Sequence, residues 1–173
     1  MPPVRKGPVM TKPARVVMIV LLGVLAALYS NGRSTQGAPA AQLSVVAGQG
    51  PANGGMNFDG TSKGRLVITV PVGAQVKLTL TNQGDLPHSI EIIPATSQLP
   101  SQAVNPPAFP GAETPTPVAG ITKGKTAVAQ FTAAKPGKYV MICGFPGHAI
   151  LGMYATFVVS PSASALPSMT VAK

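Results

Sequence analysis

Hydrophobic and polar residues alternate along much of the chain between residues 43 and 160, with the period of two that β-strands produce. The clearest example is Ala74–Asn82, where a valine and two leucines fall on one face and a lysine and two threonines on the other. Further strand-like runs occupy residues 43–47, 65–70, 88–93, 126–133, 136–143 and 153–160. No stretch of this region keeps a helical period. The pattern predicts an all-β domain over residues 43–160, built as an antiparallel β-sandwich of Greek-key type.

A proline-rich segment, Pro94–Pro117, interrupts the strand pattern. It contains seven prolines, and this density leaves no place for a regular strand because proline cannot donate a hydrogen bond to a sheet. We therefore expect a long loop, called the proline-rich loop below. Residues 161–173 carry no clear pattern and are expected to form a loose C-terminal tail.

Fourteen uncharged residues, Val16–Tyr29, follow four basic residues near the N-terminus. A basic segment followed by an apolar one is typical of an export signal whose basic end stays in the cytoplasm. A small-residue cleavage motif, Ala38–Ala40, lies well beyond the apolar run, so we favour an uncleaved membrane-anchor helix within residues 1–32. Cleavage is the alternative, since a membrane span usually needs about 20 apolar residues. The prediction is an exported, membrane-anchored protein with a linker at 33–42 and its domain on the outer (periplasmic or extracellular) face.

The net charge of +9 suggests an acidic partner, but its distribution does not. Five of the 13 basic residues lie in the first 33 positions, where they belong to the predicted anchor. The other eight face four carboxylates and are scattered along the domain, which leaves about +4. Because no basic cluster with interleaved aromatic residues is present, we predict that the protein does not bind nucleic acid.

The only cysteine, Cys143, begins the sequence CGFPGHAILGM. Exported cysteines usually form disulfides, so an unpaired one is bridged to another molecule, chemically reactive, or bound to a metal. Four residues separate Cys143 from His148, and four more separate His148 from Met153. The other histidine of the chain, His88, stands at the start of a predicted strand. These neighbours favour the metal.

One thiolate and two imidazoles in a trigonal plane, with a weak axial thioether, suit a copper ion that changes between Cu(II) and Cu(I). Cys143, His88 and His148 are the predicted strong ligands. Met153 is the predicted weak ligand. The Pro146-Gly147 pair predicts a turn that directs His148 back towards the cysteine. Each residue alone has an ordinary explanation, since buried methionines and inert cysteines are common. It is the combination that predicts copper.

The sequences CGFPGHAILGM (residues 143–153) and LPHSIEI (86–92) resemble those of the blue copper proteins, or cupredoxins. Among these, the chain is most similar to the sulfocyanins, which it resembles also over residues 56–89, and next to the rusticyanins. The resemblance covers about residues 43–160 and implies a β-sandwich that holds one type 1 copper ion. Ser89 stands where many small blue copper proteins have an asparagine that hydrogen-bonds to the cysteine loop. Its shorter side chain is expected to change the hydrogen bonding of the thiolate.

The resemblance implies an electron carrier and not an enzyme. Such a carrier would pass single electrons between membrane respiratory components, with membrane cytochrome complexes or a terminal oxidase as redox partners. Electrons would travel through the His148 ring, and an apolar patch around that ring is predicted to dock the partners. This predicted patch consists of Pro146, Ala149, Ile150, Leu151 and Leu86. The scarcity of carboxylates is consistent with an acidophilic host, because acid unfolding largely comes from protonating paired carboxylates.

Other functions fit the sequence less well. Copper storage or delivery is the alternative, although delivery sites tend to be exposed and rich in methionine and histidine. Catalysis by Cys143 as a nucleophile, activated by His148, would need an orienting residue and an oxyanion site that the nearby sequence does not supply. A copper oxidase or nitrite reductase would need further histidines for a second copper ion, and the chain has two histidines in all.

Overall fold

The computed structural model describes residues 37–162 and 166–173, together with the isolated positions 1, 3 and 7. The predicted anchor segment, Val16–Tyr29, lies outside these residues. Within the described part of the chain, no helix has the length and apolar character needed to cross a membrane.

Eight strands make up the domain, and the predicted all-β class is confirmed over the described residues. The strands are β1 (Ala40–Ala47), β2 (Gly64–Pro71), β3 (Gln75–Asn82), β4 (Glu91–Pro94), β5 (Thr126–Thr132), β6 (Gly137–Ile142), β7 (Tyr154–Ser160) and β8 (Ser168–Val171). One short 3-10 helix, Ala52–Gly55, follows β1. β1 begins three residues earlier than the sequence pattern indicated, and β4 begins three residues later.

The strands form two sheets, with the orders β1-β3-β5 and β4-β6-β7-β2-β8. The prediction that the sandwich is antiparallel is wrong for two pairs, because β1 runs parallel to β3 and β2 runs parallel to β7. Alternation with a period of two reports which face of a strand is buried, and it is the same for both strand directions. The direction depends on which strand the chain returns to, and local sequence does not specify that.

The two sheets enclose one main hydrophobic core. The buried face predicted for β3 is confirmed, since Val76, Leu78 and Leu80 are buried. From the facing sheet, Phe157 of β7 lies fully buried in the same cluster, next to Phe131 of β5. Each such side chain contributes about 1.5–3 kcal/mol by leaving water. This rigid core carries Cys143 and Met153, which belong to the same buried cluster.

The C-terminal residues 168–171 were predicted to be part of a loose tail, and this is wrong. They form β8, which pairs antiparallel with β2 from Leu66–Val171 to Thr69–Ser168. Met169 packs against the main core. The strand has four residues and its partner is about 100 residues away in sequence, so no local pattern announces it.

Beyond Pro94, which ends β4, the proline-rich loop contains no regular strand, as expected. It nevertheless runs back along β4, held by backbone hydrogen bonds to Ile90 and Ile92 on the edge of that strand that faces away from β6. Ile92 donates its N–H to the carbonyl of Ala112 and accepts the N–H of Ala108, both at 2.8 Å. The N–H of Thr114 donates to the carbonyl of Ile90 at 2.9 Å. The loop therefore covers the β4 edge of the larger sheet and reaches Gly144, the residue after Cys143.

Candidate metal centre

Three side chains meet at one end of the sandwich. The Sγ atom of Cys143 lies 3.9 Å from Nδ1 of His88 and 3.5 Å from Nδ1 of His148. All three potential ligand atoms lie within 4.8 Å of one another, and the residues that carry them are buried. The two imidazole rings are tilted by 51°, with their centroids 5.1 Å apart. The structure thus brings together the three strong ligands predicted from the sequence.

The loop between β6 and β7 carries two of these ligands. Cys143 directly follows β6, and its N–H donates to the carbonyl of Met153 at 3.1 Å, which closes the loop at its base. The N–H of Met153 donates to the carbonyl of His148 at 2.9 Å. Gly147, with φ of +85°, makes the left-handed turn before His148 that the Pro-Gly pair predicted.

His88 comes from a different part of the chain, and its backbone is held on both sides. It exchanges two hydrogen bonds with Ile121, of 3.1 and 2.7 Å. A Cβ atom on Gly120 would lie about 3.0 Å from the His88 backbone, so this approach requires a glycine. On the ring's far side, Nε2 is buried and has no hydrogen-bond partner among the described protein atoms. The ring is fixed by packing and by its backbone, and His88 precedes β4 instead of beginning it.

The donor set fits one metal ion. A first-row divalent ion bonded at about 2.0 Å to nitrogen and about 2.3 Å to sulfur, with angles near 120°, separates the donors by roughly 3.8 Å. The two measured separations, 3.9 and 3.5 Å, agree with this value. A thiolate with two imidazoles selects copper over the hard cations, which prefer oxygen ligands.

Burial shifts the pKa values of all three ligand side chains towards their neutral forms. Burial, reinforced by His148, lowers the pKa of His88 to about 4, and burial also lowers the pKa of His148. Both rings are therefore neutral at pH 7, which is the form that binds metals. Burial raises the pKa of Cys143, against the opposing effect of the hydrogen bonds from Ser89 and Phe145. A bound cation supplies the charge that this buried thiolate needs.

Ser89 lies beside the thiol, where the sequence predicted it. Its N–H points at Sγ of Cys143 with a separation of 3.5 Å, and its hydroxyl oxygen lies 4.0 Å from the same sulfur. That hydroxyl donates to the carbonyl of Pro117 at 2.6 Å and accepts the N–H of Gly144 at 2.9 Å. One serine thus connects the His88 segment, the cysteine loop and the proline-rich loop.

The remaining predicted site residues divide into two groups. Met153, the predicted axial ligand, is fully buried at the base of the loop. Of the predicted docking patch, Pro146, Ile150, Leu151 and Leu86 are exposed. Ala149 is wrong as a surface residue, because it is fully buried in a small cluster with Ile93 and Ile142. Its methyl group turns inward when the loop folds over the sheet.

Sequence reasoning missed the contribution of the proline-rich loop. Ala103 donates its N–H to the carbonyl of Gly144 at 2.9 Å, and the carbonyl of Ser101 accepts the N–H of Gly147 at 2.7 Å. These contacts flank Cys143 and His148. Because backbone atoms make these contacts, the residue types at positions 101 and 103 do not predict them.

Comparison with known proteins agrees with this geometry. The family model described as "Sulfocyanin (SoxE) domain" matches residues 40–170. This chain belongs to the sulfocyanin family. It is 35% identical to sulfocyanin from Sulfolobus acidocaldarius over 115 residues, which cover 63% of this chain and 58% of that protein. This member of the sulfocyanin family spans about half the length of the curated relatives that it matches.

Solved structures share the fold. Reduced rusticyanin superposes with a TM-score of 0.53 at 22% identity, over 81% of this chain and 96% of that one. A copper nitrite reductase from Nitrosomonas europaea gives 0.50 at 27% identity, over 75% of this chain and 45% of that one. The sandwich is therefore cupredoxin-like. In this sulfocyanin-family chain, His88, Cys143 and His148 form a type 1 copper site, with Met153 buried beside them.

Proposed function

We propose that this chain carries single electrons by means of one type 1 copper ion, as a sulfocyanin-like link between membrane respiratory components. The observation that carries the proposal is the buried cluster of one thiol and two imidazoles with a 3.5–3.9 Å spacing. Copper in such a ligand set supplies a one-electron change between Cu(II) and Cu(I).

The protein's own residues make this change fast by keeping the ligands in place. His88 is anchored by the segment around Ile121, whereas Cys143 and His148 belong to a loop closed by its own hydrogen bonds. Ligands held on separate rigid elements move little when the charge of the site changes. Burial also excludes water, since His88 and Cys143 are fully buried and His148 is 5% exposed.

The His148 ring is the route that this arrangement favours for electrons. It is the one strong ligand with any exposed surface, and two exposed apolar residues, Ile150 and Leu151, follow it on the same loop. Ile150 and Leu151 are 57% and 56% exposed, and Leu86 is 42% exposed. A small apolar surface of this kind suits brief docking of a redox partner, for which we propose a membrane cytochrome complex or a terminal oxidase.

Copper delivery is a weaker proposal for this site. A delivery protein must release its metal to a partner by ligand exchange, which needs ligands that the partner can reach. Here two of the three strong ligands are fully buried. A role as an enzyme is also disfavoured, because the burial that raises the pKa of Cys143 makes it a poor nucleophile. Both histidines of the chain already belong to the one site, so neither is left for a second copper ion.

The cellular setting is part of the same proposal. The basic and apolar N-terminal segments support export with residues 1–32 retained as a membrane anchor and the copper domain on the outer face. The low number of carboxylates, four in 173 residues, supports an acidophilic host.

The test is repeated reduction and reoxidation of the copper-loaded protein in the presence of an excess of a metal-free copper acceptor. A carrier takes up and returns one electron per chain through many cycles and keeps its metal. If copper moves to the acceptor as fast as electrons are exchanged, the chain is a delivery protein and the proposed function is wrong.

A further inference from the structure

Glu91 is a buried carboxylate that is not a ligand of the copper site. It stands at the start of β4, three residues after His88, and its side chain is fully buried. Both carboxylate oxygens lie near one donor, the backbone N–H of Val104, at 3.0 and 3.2 Å. Glu91 carries one of only four side-chain carboxylates in the chain. Burying a carboxylate is unfavourable because the charged form loses its hydration.

The residue that Glu91 holds belongs to the proline-rich loop. Val104 follows Ala103, whose N–H donates to the carbonyl of Gly144, the residue after Cys143. Two positions earlier, the carbonyl of Ser101 accepts the N–H of Gly147, the residue before His148. The segment 101–104 therefore spans the cysteine loop between two copper ligands, and Glu91 fixes its end.

The contact between the two loops is tight. A Cβ atom on Gly144 would lie about 2.7 Å from the Cβ of Ala103 and 3.1 Å from the carbonyl oxygen of Pro117. No side chain separates the segment 101–104 from the cysteine loop at this point. A shift of Ala103 would therefore be transmitted directly to the backbone beside Cys143.

Apart from the N–H of Val104, the surroundings of Glu91 disfavour a charged carboxylate. Burial raises the pKa of Glu91 to about 7, and the charge of Glu113 adds to this, whereas only the N–H of Val104 opposes it. Glu113 forms an isolated backbone bridge with Glu91. An apolar residue of similar size would avoid this cost, but it would leave the N–H of Val104 without its acceptor.

We propose that Glu91 is a positioning residue of the copper site, which holds the segment 101–104 against the cysteine loop and so fixes the spacing of Cys143 and His148. The inference rests on the proposed function in so far as it concerns a copper ligand loop. The Glu91 carboxylate hydrogen-bonds to Val104 and acts on the site through Val104, Ala103 and Gly144.

Three variants of Glu91 test the proposal. Glu91→Leu removes the acceptor at similar volume, Glu91→Asp keeps the charge but withdraws it from Val104, and Glu91→Gln keeps an acceptor oxygen at full length. Glu113→Gln is the matched control, because it changes the neighbouring carboxylate that holds no part of the segment 101–104. Amide hydrogen exchange of the metal-free proteins and the electron paramagnetic resonance spectrum and reduction potential of the copper-loaded proteins are measured.

We expect the Leu and Asp variants to speed amide exchange at Ala103 and Gly147 by about tenfold, since both leave the N–H of Val104 without its acceptor and a lost hydrogen bond costs about 1.4 kcal/mol. The same two variants should change the copper hyperfine splitting and the potential. Glu91→Gln and Glu113→Gln should resemble the wild type in both measurements. This rescue by glutamine distinguishes a positioning role from a general loss of stability.

Unchanged exchange at Gly147 together with an unchanged copper spectrum in Glu91→Leu would overturn the proposal. If Glu91→Leu does not fold, Glu91→Asp decides by the same two measurements. A wild-type protein that gives no type 1 copper spectrum would refute the proposed function, while the exchange data on the metal-free protein would still test whether Glu91 holds the loop.

Discussion

The backbone N–H of Ser89 points at the sulfur of Cys143 across 3.5 Å, while the serine hydroxyl accepts the N–H of Gly144, the next residue of the cysteine loop. The His88 segment thus hydrogen-bonds both the metal-binding atom and the backbone that carries it. A donor near the sulfur draws electron density from the thiolate and tunes the copper. The hydroxyl also donates to the carbonyl of Pro117, so a single small side chain joins three segments.

Ser89→Ala should destabilise the protein while leaving the N–H to sulfur contact in place. The change leaves the buried N–H of Gly144 without its acceptor, which costs about 1–3 kcal/mol. Chemical denaturation of the metal-free variant measures this loss, with Ser97→Ala, at an exposed serine, as the control. A loss no larger than that of the control would show that the Ser89 hydroxyl does not hold the loop.

Strand β8 should contribute measurably to stability. Met169 of this four-residue strand packs against the main core. Because the side chain is only partly buried, Met169→Ala should lower the free energy of unfolding by about 1–2 kcal/mol, and Met169→Leu by less. Equal stability of the alanine variant and the wild type would contradict the pairing of β8 with β2.

The stability that Glu91 contributes should depend on pH in an unusual direction. Its pKa is about 7 in the folded chain against an ordinary value of 4.5, so the folded state binds a proton more tightly than the unfolded state. Below about pH 4.5 the raised pKa therefore costs no stability. As pH rises from about 4.5 through about 7, the free energy of unfolding falls. The size of the effect is on the order of 3 kcal/mol.

His88 acts in the opposite direction, since its lowered pKa makes the metal-free protein lose stability as pH falls from 6.5 towards 4. The measurement is therefore the difference in unfolding free energy between the wild type and Glu91→Gln at pH 4.5 and pH 8. We expect the unfolding free energy of the wild type, relative to that of Glu91→Gln, to be higher at pH 4.5 than at pH 8. A difference that is constant across this range would contradict the raised pKa.

The apolar patch around His148 should govern the rate of electron exchange with a redox partner. Ile150→Lys places a charge in the patch and should slow reduction by the partner by about tenfold, equivalent to about 1.4 kcal/mol. Leu166→Lys is the matched control, because Leu166 is exposed and lies outside the loop that carries His148. Equal rates for both variants in stopped-flow measurements would show that docking occurs elsewhere.

The copper ligands could be predicted from the sequence because their residue types are rare in it. One cysteine and two histidines leave little choice, and the spacing of Cys143, His148 and Met153 places three donors on one loop. The strands were predictable for a similar reason, since each buried face repeats every two residues. Strand direction was not, because the parallel pairing of β1 with β3 leaves the same alternation.

The parts that could not be predicted depend on long-range backbone contacts. The hydrogen bonds of Ala103 and Ser101 to the cysteine loop use main-chain atoms, which every residue type possesses. The pairing of β8 depends on a free edge of β2 that exists only in the folded sheet. The burial of Ala149 follows from the path of the loop and not from its side chain.

The most direct test is a copper titration of the metal-free domain, followed by its visible absorption spectrum, alongside Cys143→Ser. We expect one copper ion per chain and an intense band from charge transfer between Cys143 sulfur and Cu(II), which the serine variant lacks. A colourless Cu(II) complex of the wild type, or a band that persists without the cysteine sulfur, would contradict the assignment of Cys143, His88 and His148 as the ligands.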